Sequence, residues 1–300
     1  MLKRTSTSIR SKRGGFTLLE MLVATSILAL TLVLFTQITN NTVNVTKKGN
    51  HYMDVSSQAR GAFDRLSQNL NSVMRINGIT VTVNKASNGN DSIAFIANTR
   101  AALTTGSTGR AAVVGFEVRS SPDTYNKGVS VPMLNWGNAA VLWPTDPYTA
   151  LRGAATQLGG ASGPMTFDPV APNIFRMEIC FLQDDGSIVA LPPEDITFAA
   201  NPAAPNTGNP HYIALTKEAT LNGSGRFVKA IIIGMAGLSG DVRQLVDMTA
   251  LSASLPPVPL GKTPLQVWDI NAPAFVTSLP EPKTPILNNL RVYQRYFYVN

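Results

Sequence analysis

The chain has 300 residues, of which 44% are hydrophobic and only 14% charged. That is ample for a core that folds without staples, and the low charge suits a secreted or surface-displayed protein better than a cytosolic enzyme. The single cysteine, Cys180, excludes an intrachain disulfide; it lies in an alternating apolar stretch and is expected to be a buried, inert thiol. The net charge of +7 is no phosphate-binding signature. Lys3, Arg4, Arg10, Lys12 and Arg13 supply five of those charges, and the remaining chain sets 20 basic against 18 acidic residues. So slight a balance gives no reason to expect a nucleic-acid partner.

The first element is the N-terminus. A basic leader ends at Gly14–Gly15, and an apolar run from Phe16 to Ile38 follows, interrupted by one charge, Glu20. A helix needs about 20 apolar residues to span a bilayer, so this run is long enough. The basic leader is expected to stay cytoplasmic and the rest of the chain to lie outside; Lys47 and Lys48 weaken that asymmetry without reversing it. Glu20 is costly in a membrane helix, about 2.5–3.5 kcal/mol near the centre and less near an end, so it needs a reason. Cleavage between Gly15 and Phe16 would create a positive α-amine four residues before Glu20. In a filament, one subunit's amine could neutralise a neighbour's Glu20 inside an apolar bundle.

Gly15-Phe16-Thr17-Leu18-Leu19-Glu20, followed by Met21-Leu22-Val23-Ala24, closely resembles the class III signal of type IV prepilins and type II secretion pseudopilins. The resemblance implies a membrane prepilin peptidase that cleaves after Gly15 and methylates the new N-terminal Phe16. It also implies other pilins or pseudopilins and an inner-membrane assembly platform as partners. The chain would then be an inner-membrane, single-pass protein with a periplasmic head, later part of a filament in the periplasm or at the cell surface. An ordinary secretory signal cut near Ala24–Ser26 is the competing reading; Glu20 and the Gly-Phe junction argue against it. Many major pilins carry a proline about twenty residues into the mature helix, and this stretch has none.

Phe63, Leu66, Leu70, Val73 and Met74 recur at spacings of three and four, with Arg60, Asp64, Arg65, Gln68 and Asn69 between them. That is one apolar stripe of a continuing helix. Helix from Phe16 to Arg75 would be about 90 Å long, with a bend or frayed turn expected at Asn40–Asn41 or Gly49. Beyond Asn77 the period becomes two. Ile79–Val83, Ser92–Ile96 and Val113–Arg119 read as strands. A hairpin follows, with Phe175, Met177, Ile179 and Phe181 on one face and Arg176 and Glu178 on the other; it turns at Asp184-Asp185-Gly186 and returns through Ile188–Leu191. Phe227–Ile233 reads as a central strand buried on both faces, and Leu290–Val299 as a last, aromatic strand.

Four segments rich in turn residues lie between these: 98–110, 153–164, 199–210 and 255–285. The last holds eight of the chain's 20 prolines, and all four are expected to be long surface loops. The order of elements gives an α+β class: a pilin-like long N-terminal helix packed on an antiparallel sheet. The organisation is leader 1–15, membrane or filament-core helix 16–38, periplasmic continuation 39–76 and β-rich head 77–300. The head's size, the Phe63–Leu70 helix and the Val228–Ile232 strand are similar to J-type minor pseudopilins and W-type minor pilins. Arg291-Val292-Tyr293-Gln294-Arg295-Tyr296-Phe297-Tyr298 resembles the Verru/Chthon cassette prepilin-like proteins, protein C in particular.

The chemistry of an enzyme is missing from the pattern. His51 and His211 are distant, no His, Cys or Asp cluster has metal-ligand spacing, and the Gly-Ser pieces, including Gly237-Leu238-Ser239-Gly240, miss the nucleophile elbow and read as loops. Turn chemistry explains Asn88–Asp91 and Asp184–Gly186 without calcium, and Tyr293, Tyr296, Phe297 and Tyr298 read as a packed sheet edge rather than a base-stacking platform. No catalytic residue, metal ligand or cofactor is nominated. The sequence points to a minor pilin or pseudopilin near a filament tip, with a surface-displayed binding module on the same type of anchor as the alternative.

Overall fold

The computed structural model describes residues 17–74, 81–86, 90–98, 101–102, 108–109, 111–122, 130–141, 165–190, 211–213 and 227–299. The chain divides into two compact units, 1–50 and 51–300. Helix α1, Leu18–Asn71, supplies the described part of the first unit and the opening of the second. Helical backbone runs through Asn40–Asn41 and Gly49, where a bend was expected. One glycine costs a helix only about 1 kcal/mol, which a helix of 54 residues absorbs. It stops at Asn71, short of position 76, because Val73 forms a bridge to Ala97 and the Met74 amide donates to the Ile96 carbonyl at 2.8 Å.

The second unit continues with β1 (Val81–Asn84), β2 (Ser92–Ala97), β3 (Ala101–Ala102), β4 (Thr108–Gly109), β5 (Ala112–Pro122), β6 (Ser130–Ala140), β7 (Thr166–Ala171), β8 (Ile174–Gln183), β9 (Ile188–Val189), β10 (His211–Ile213) and β11 (Val228–Gly237). Five short helices follow, α2 (Gly240–Arg243), α3 (Met248–Ser254), α4 (Pro264–Val267), α5 (Pro273–Ser278) and α6 (Lys283–Asn289), and then β12 (Arg291–Tyr298). Every strand pairing is antiparallel. The larger sheet has the order β10-β1-β2-β5-β6-β7, the smaller β12-β11-β8-β9, and among the described residues β3 and β4 form a two-stranded pair. A long helix followed by antiparallel sheet is the α+β class expected. The expected strand residues Ile79, Thr80 and Leu191, and the segments 153–164 and 199–210, lie outside the described residues.

The main core forms where α1 meets both sheets. Val55, Ala59, Phe63 and Leu66 of the helix pack with Val83, Phe95 and Phe116 of one sheet and Ile179, Ile231 and Ile233 of the other. Closeness matters at Gly237: a Cβ there would lie 2.7 Å from Val55 Cγ1 and 2.8 Å from Ile174 Cδ1. Of the stretch expected to be loop, Gly237-Leu238-Ser239-Gly240, Gly237 is therefore the end of β11 pressed against the helix; Leu238 and Ser239 form a buried connection, and Gly240 opens the next helix.

The segment 255–285 is the largest departure from expectation. It is no loose surface loop. Residues 240–290 fold over the free face of the smaller sheet and bury a second core of Phe175, Leu238, Leu251, Trp268, Phe275 and Ile286. Its prolines act as helix starters: Pro264 and Pro273 stand in the first turns of α4 and α5, where a missing N–H is harmless. Gly234 seats this strap, since a Cβ there would come within 2.2 Å of Pro264 Cβ. The cover also changes the status of Arg176 and Glu178. They do lie opposite Met177, Ile179 and Phe181, which face the main core. Phe175, expected on that opposite face, instead sits with them under the strap, because the register shifts where it meets Ala236 and Gly237. That face is dry, and Arg176 and Glu178 are 0% and 3% exposed. Cys180 is buried there too, against Ile232 and Val258, and burial pushes its thiol up to about 12.

Arg176 holds the strap through its backbone. Its guanidinium donates to the Ser252 carbonyl at 3.0 Å and the Leu255 carbonyl at 3.2 Å, and to Glu178 Oε2 at 3.3 Å. Glu178 Oε1 accepts from the Val258 amide at 2.8 Å. Asp91 is buried beside this group. Its Oδ2 accepts from Lys85 Nζ and, at 2.7 Å, from the Ile179 amide.

Burial, with Glu178 nearby, raises the Asp91 carboxyl from 3.8 to about 6 against the opposing pull of Lys85 and its hydrogen bonds. The folded protein thus holds this proton more tightly than the unfolded chain. The resulting stability is fully present below about pH 4 and is lost as pH rises through about 6. Asp91→Asn is expected to flatten that part of the unfolding profile. Urea titrations followed by tryptophan fluorescence between pH 4 and 7 check it; an unchanged slope would exclude Asp91 as its source.

Candidate functional site

The candidate site is the first unit's helix. Its N-terminus is closed by two reciprocal contacts: the Thr17 amide donates to Glu20 Oε2 at 2.9 Å, and the Glu20 amide donates to Thr17 Oγ1 at 3.2 Å. The Thr17 hydroxyl also donates to Oε2 at 3.0 Å. This is a capping box, which satisfies two of the backbone donors that a helix start leaves open. The sequence carried its signal, a Thr-x-x-Glu pattern ahead of an apolar run, but attention to charge alone passed over Thr17. Glu20 itself is exposed, and its negative charge stands at the positive end of the helix. Among the described residues only Oε2 is engaged.

The helix beyond it is apolar on every side. Leu18, Leu19, Leu22, Val23, Ile27, Leu30, Val33, Phe35 and Ile38 all stand exposed, Leu18 at 85% and Phe35 at 70%. Residues advance by 100° around a helix, so these positions leave no polar face. Such a surface requires lipid or other apolar helices around it. The hydroxyls among them are satisfied internally. Ser26, Thr36, Thr39 and Thr42 donate to carbonyls four residues back at 2.8–2.9 Å, Thr31 does the same to Ile27, and Thr25 reaches Leu22 at 3.0 Å. Each hydroxyl thus has its donor occupied within the helix, as an apolar medium would require. The helix is long and apolar enough to cross a membrane.

Of the three expected site residues, Glu20 stands at the helix start; Gly15 and Phe16 lie outside the described residues. The geometry thus offers an apolar rod with one anionic group at its first turn, directly after a Gly-Phe junction in sequence.

Residues 10–36 match the prokaryotic N-terminal methylation motif. Among solved structures, the chain is similar to a type IV-like pilin from Thermus thermophilus, at 12% identity and a TM-score of 0.36, over 81% of this chain and 94% of that one. No curated protein matches the chain.

Proposed function

We propose that the chain is a pilin-type filament subunit, made as a precursor, cut after Gly15 and methylated at Phe16. The observation that carries this reading is the helix apolar on all sides from Leu18 to Ile38, with its single acid at the first turn, most of it within a methylation motif at residues 10–36. In the membrane that helix is the anchor, with residues 1–15 cytoplasmic and the head in the periplasm. In the filament the same surface packs against copies of itself and of other pilins, fed in by an inner-membrane assembly platform. Glu20 takes the neighbour's Phe16 amine as its partner. Intact-mass measurement of the purified membrane form tests the processing: the mass should be that of a chain starting at methylated Phe16. Gly15→Val should leave the leader attached, because a branched side chain crowds a peptidase that accepts a glycine junction. Normal processing of that variant would sink the assignment.

Within this family we place the chain with the large-headed minor subunits, near the filament tip. A repeating subunit must leave room for neighbours on all sides of its head. This head adds to its antiparallel sheets a strap of about fifty residues packed on the smaller of them. A terminal subunit meets fewer neighbours, so bulk there is tolerated. Quantitative mass spectrometry of sheared filaments should find a few copies against hundreds of a smaller pilin; abundance close to that of the main subunit would make this the shaft protein instead.

A further inference from the structure

β12 is an outer strand of the smaller sheet, and among the described residues no strand flanks its far side. The Val299 amide donates to the Lys229 carbonyl at 3.0 Å, and the register continues from that pair through Phe297–Ile231, Arg295–Ile233 and Tyr293–Met235. Hydrogen-bonded pairs alternate along an antiparallel ladder. The odd-numbered residues of β12 therefore bond to β11, while Val292, Gln294, Tyr296 and Tyr298 aim their N–H and C=O away from the sheet.

Natural sheets guard such an edge with charges or proline. Here the charges are turned aside. The Arg291 guanidinium lies 4.0 Å from the Tyr52 ring centre, and Arg295 donates to Asp64 at 2.7 Å, both on the helix side. On the strap side the edge is aromatic: Tyr296 and Tyr298 are 39% and 65% exposed and stack at 6.4 Å. Leu265, half exposed, is tied beside them by its amide to Gln294 Oε1 at 3.0 Å.

We propose that this edge accepts an extended peptide segment as an added strand, one in which apolar and acidic residues alternate. An added strand shows alternate side chains to opposite faces. One set would lie along Tyr296, Tyr298 and Leu265. The other would face Arg291, Arg295 and exposed Lys229 across the helix side, where Asp64 is the acid paired to Arg295. A second copy of β12 fits worse, because it would bring its own Arg291 and Arg295 onto the same face, and like charges across a strand pair are unfavourable.

The test uses the full chain in detergent micelles and a labelled eight-residue peptide alternating Val and Glu, followed by fluorescence anisotropy. Saturable binding is expected, weakened about tenfold or more by methylating alternate peptide amides or by replacing Glu with Lys. Tyr296→Pro should weaken it similarly, since it removes an outward N–H and none of the donors to β11. Hydrogen exchange at Tyr293 and Arg295 checks that the variant keeps its ladder; if it does not, the methylated peptide on the unaltered chain decides. Absence of saturable binding, or equal binding of the methylated or Val/Lys peptide, overturns the proposal. So does self-association of the unaltered chain that Tyr296→Pro abolishes, which would assign the edge to a second copy.

Discussion

Glu20→Gln is expected to leave the chain inserted, cleaved and helical, yet to reduce its recovery in sheared filaments by about a hundredfold or more. Glu20 holds two positions at once, as cap of its own helix and as the anion proposed to meet a neighbour's Phe16 amine. Glutamine separates them. It still accepts from the Thr17 amide, as glutamate does in a capping box, but it carries no charge. An amine left unpaired in an apolar bundle costs about 3–5 kcal/mol, and each 1.4 kcal/mol or so is tenfold in occupancy. Thr17→Ala is the complement: it keeps the charge and loses a cap hydroxyl, at a cost of about 1 kcal/mol. The expected order of filament recovery is therefore Thr17→Ala near the unaltered protein, with Glu20→Gln and Glu20→Ala equally low. If Glu20→Gln assembles normally while Thr17→Ala fails, the carboxylate is a cap and the pairing is wrong. Membrane-fraction blots keep insertion separate from assembly, because removing the charge can only ease insertion.

What the sequence made legible was whatever a period reports. The alternation in Phe175–Phe181, the apolar block Val228–Ile233 and the aromatic run to Tyr298 all became strands of the smaller sheet. The apolar stripe Phe63–Leu66–Leu70 faces the core or packs against it. Strand β6 went unseen because Pro132, Asn135, Gly137 and Asn138 break its alternation. Its ladder tolerates Pro132 since β7 pairs only from Leu134 onward, so no second neighbour needs that N–H. The strap was illegible for a different reason. Proline marks turns and helix starts alike, and although Trp268, Phe275, Leu279 and Ile286 keep helical spacing, Pro273, Pro280, Pro282 and Pro285 interrupt it and leave helices of only four to seven residues. Burial there comes from tertiary contact with β8 and β11, which no local pattern carries. The same holds for Arg176 and Glu178, whose alternation told which face they occupy but not that the face would be covered. At the candidate site, Glu20 was legible by its misfit and Thr17 by a motif, while Gly15 and Phe16 rest on the sequence and its methylation motif.

The hold that Arg176 has on the strap predicts the largest loss of stability in the head. Arg176→Leu leaves Glu178 charged and buried and removes the donors to the Ser252 and Leu255 carbonyls; breaking a buried pair in this way costs about 3–5 kcal/mol. The double variant Arg176→Leu/Glu178→Leu removes both charges and adds apolar contact to the second core. It should recover much of that loss, retaining about 1–3 kcal/mol from the Val258 amide and the two carbonyls left without partners. Trp268 is the natural reporter, because its ring is 1% exposed and 5.7 Å from the Arg176 guanidinium. Its indole donates to the Pro256 carbonyl at 2.9 Å. Urea unfolding of the full chain in detergent, read by fluorescence and by hydrogen exchange at Val258, measures both variants. If the ion pair anchors the strap, Val258 in the single variant exchanges well before the β8–β11 ladder opens, and the double variant brings the two back together. If both variants are as stable as the unaltered chain, Phe175, Leu251, Trp268 and Ile286 hold the strap by packing alone, with the buried charges contributing nothing to it.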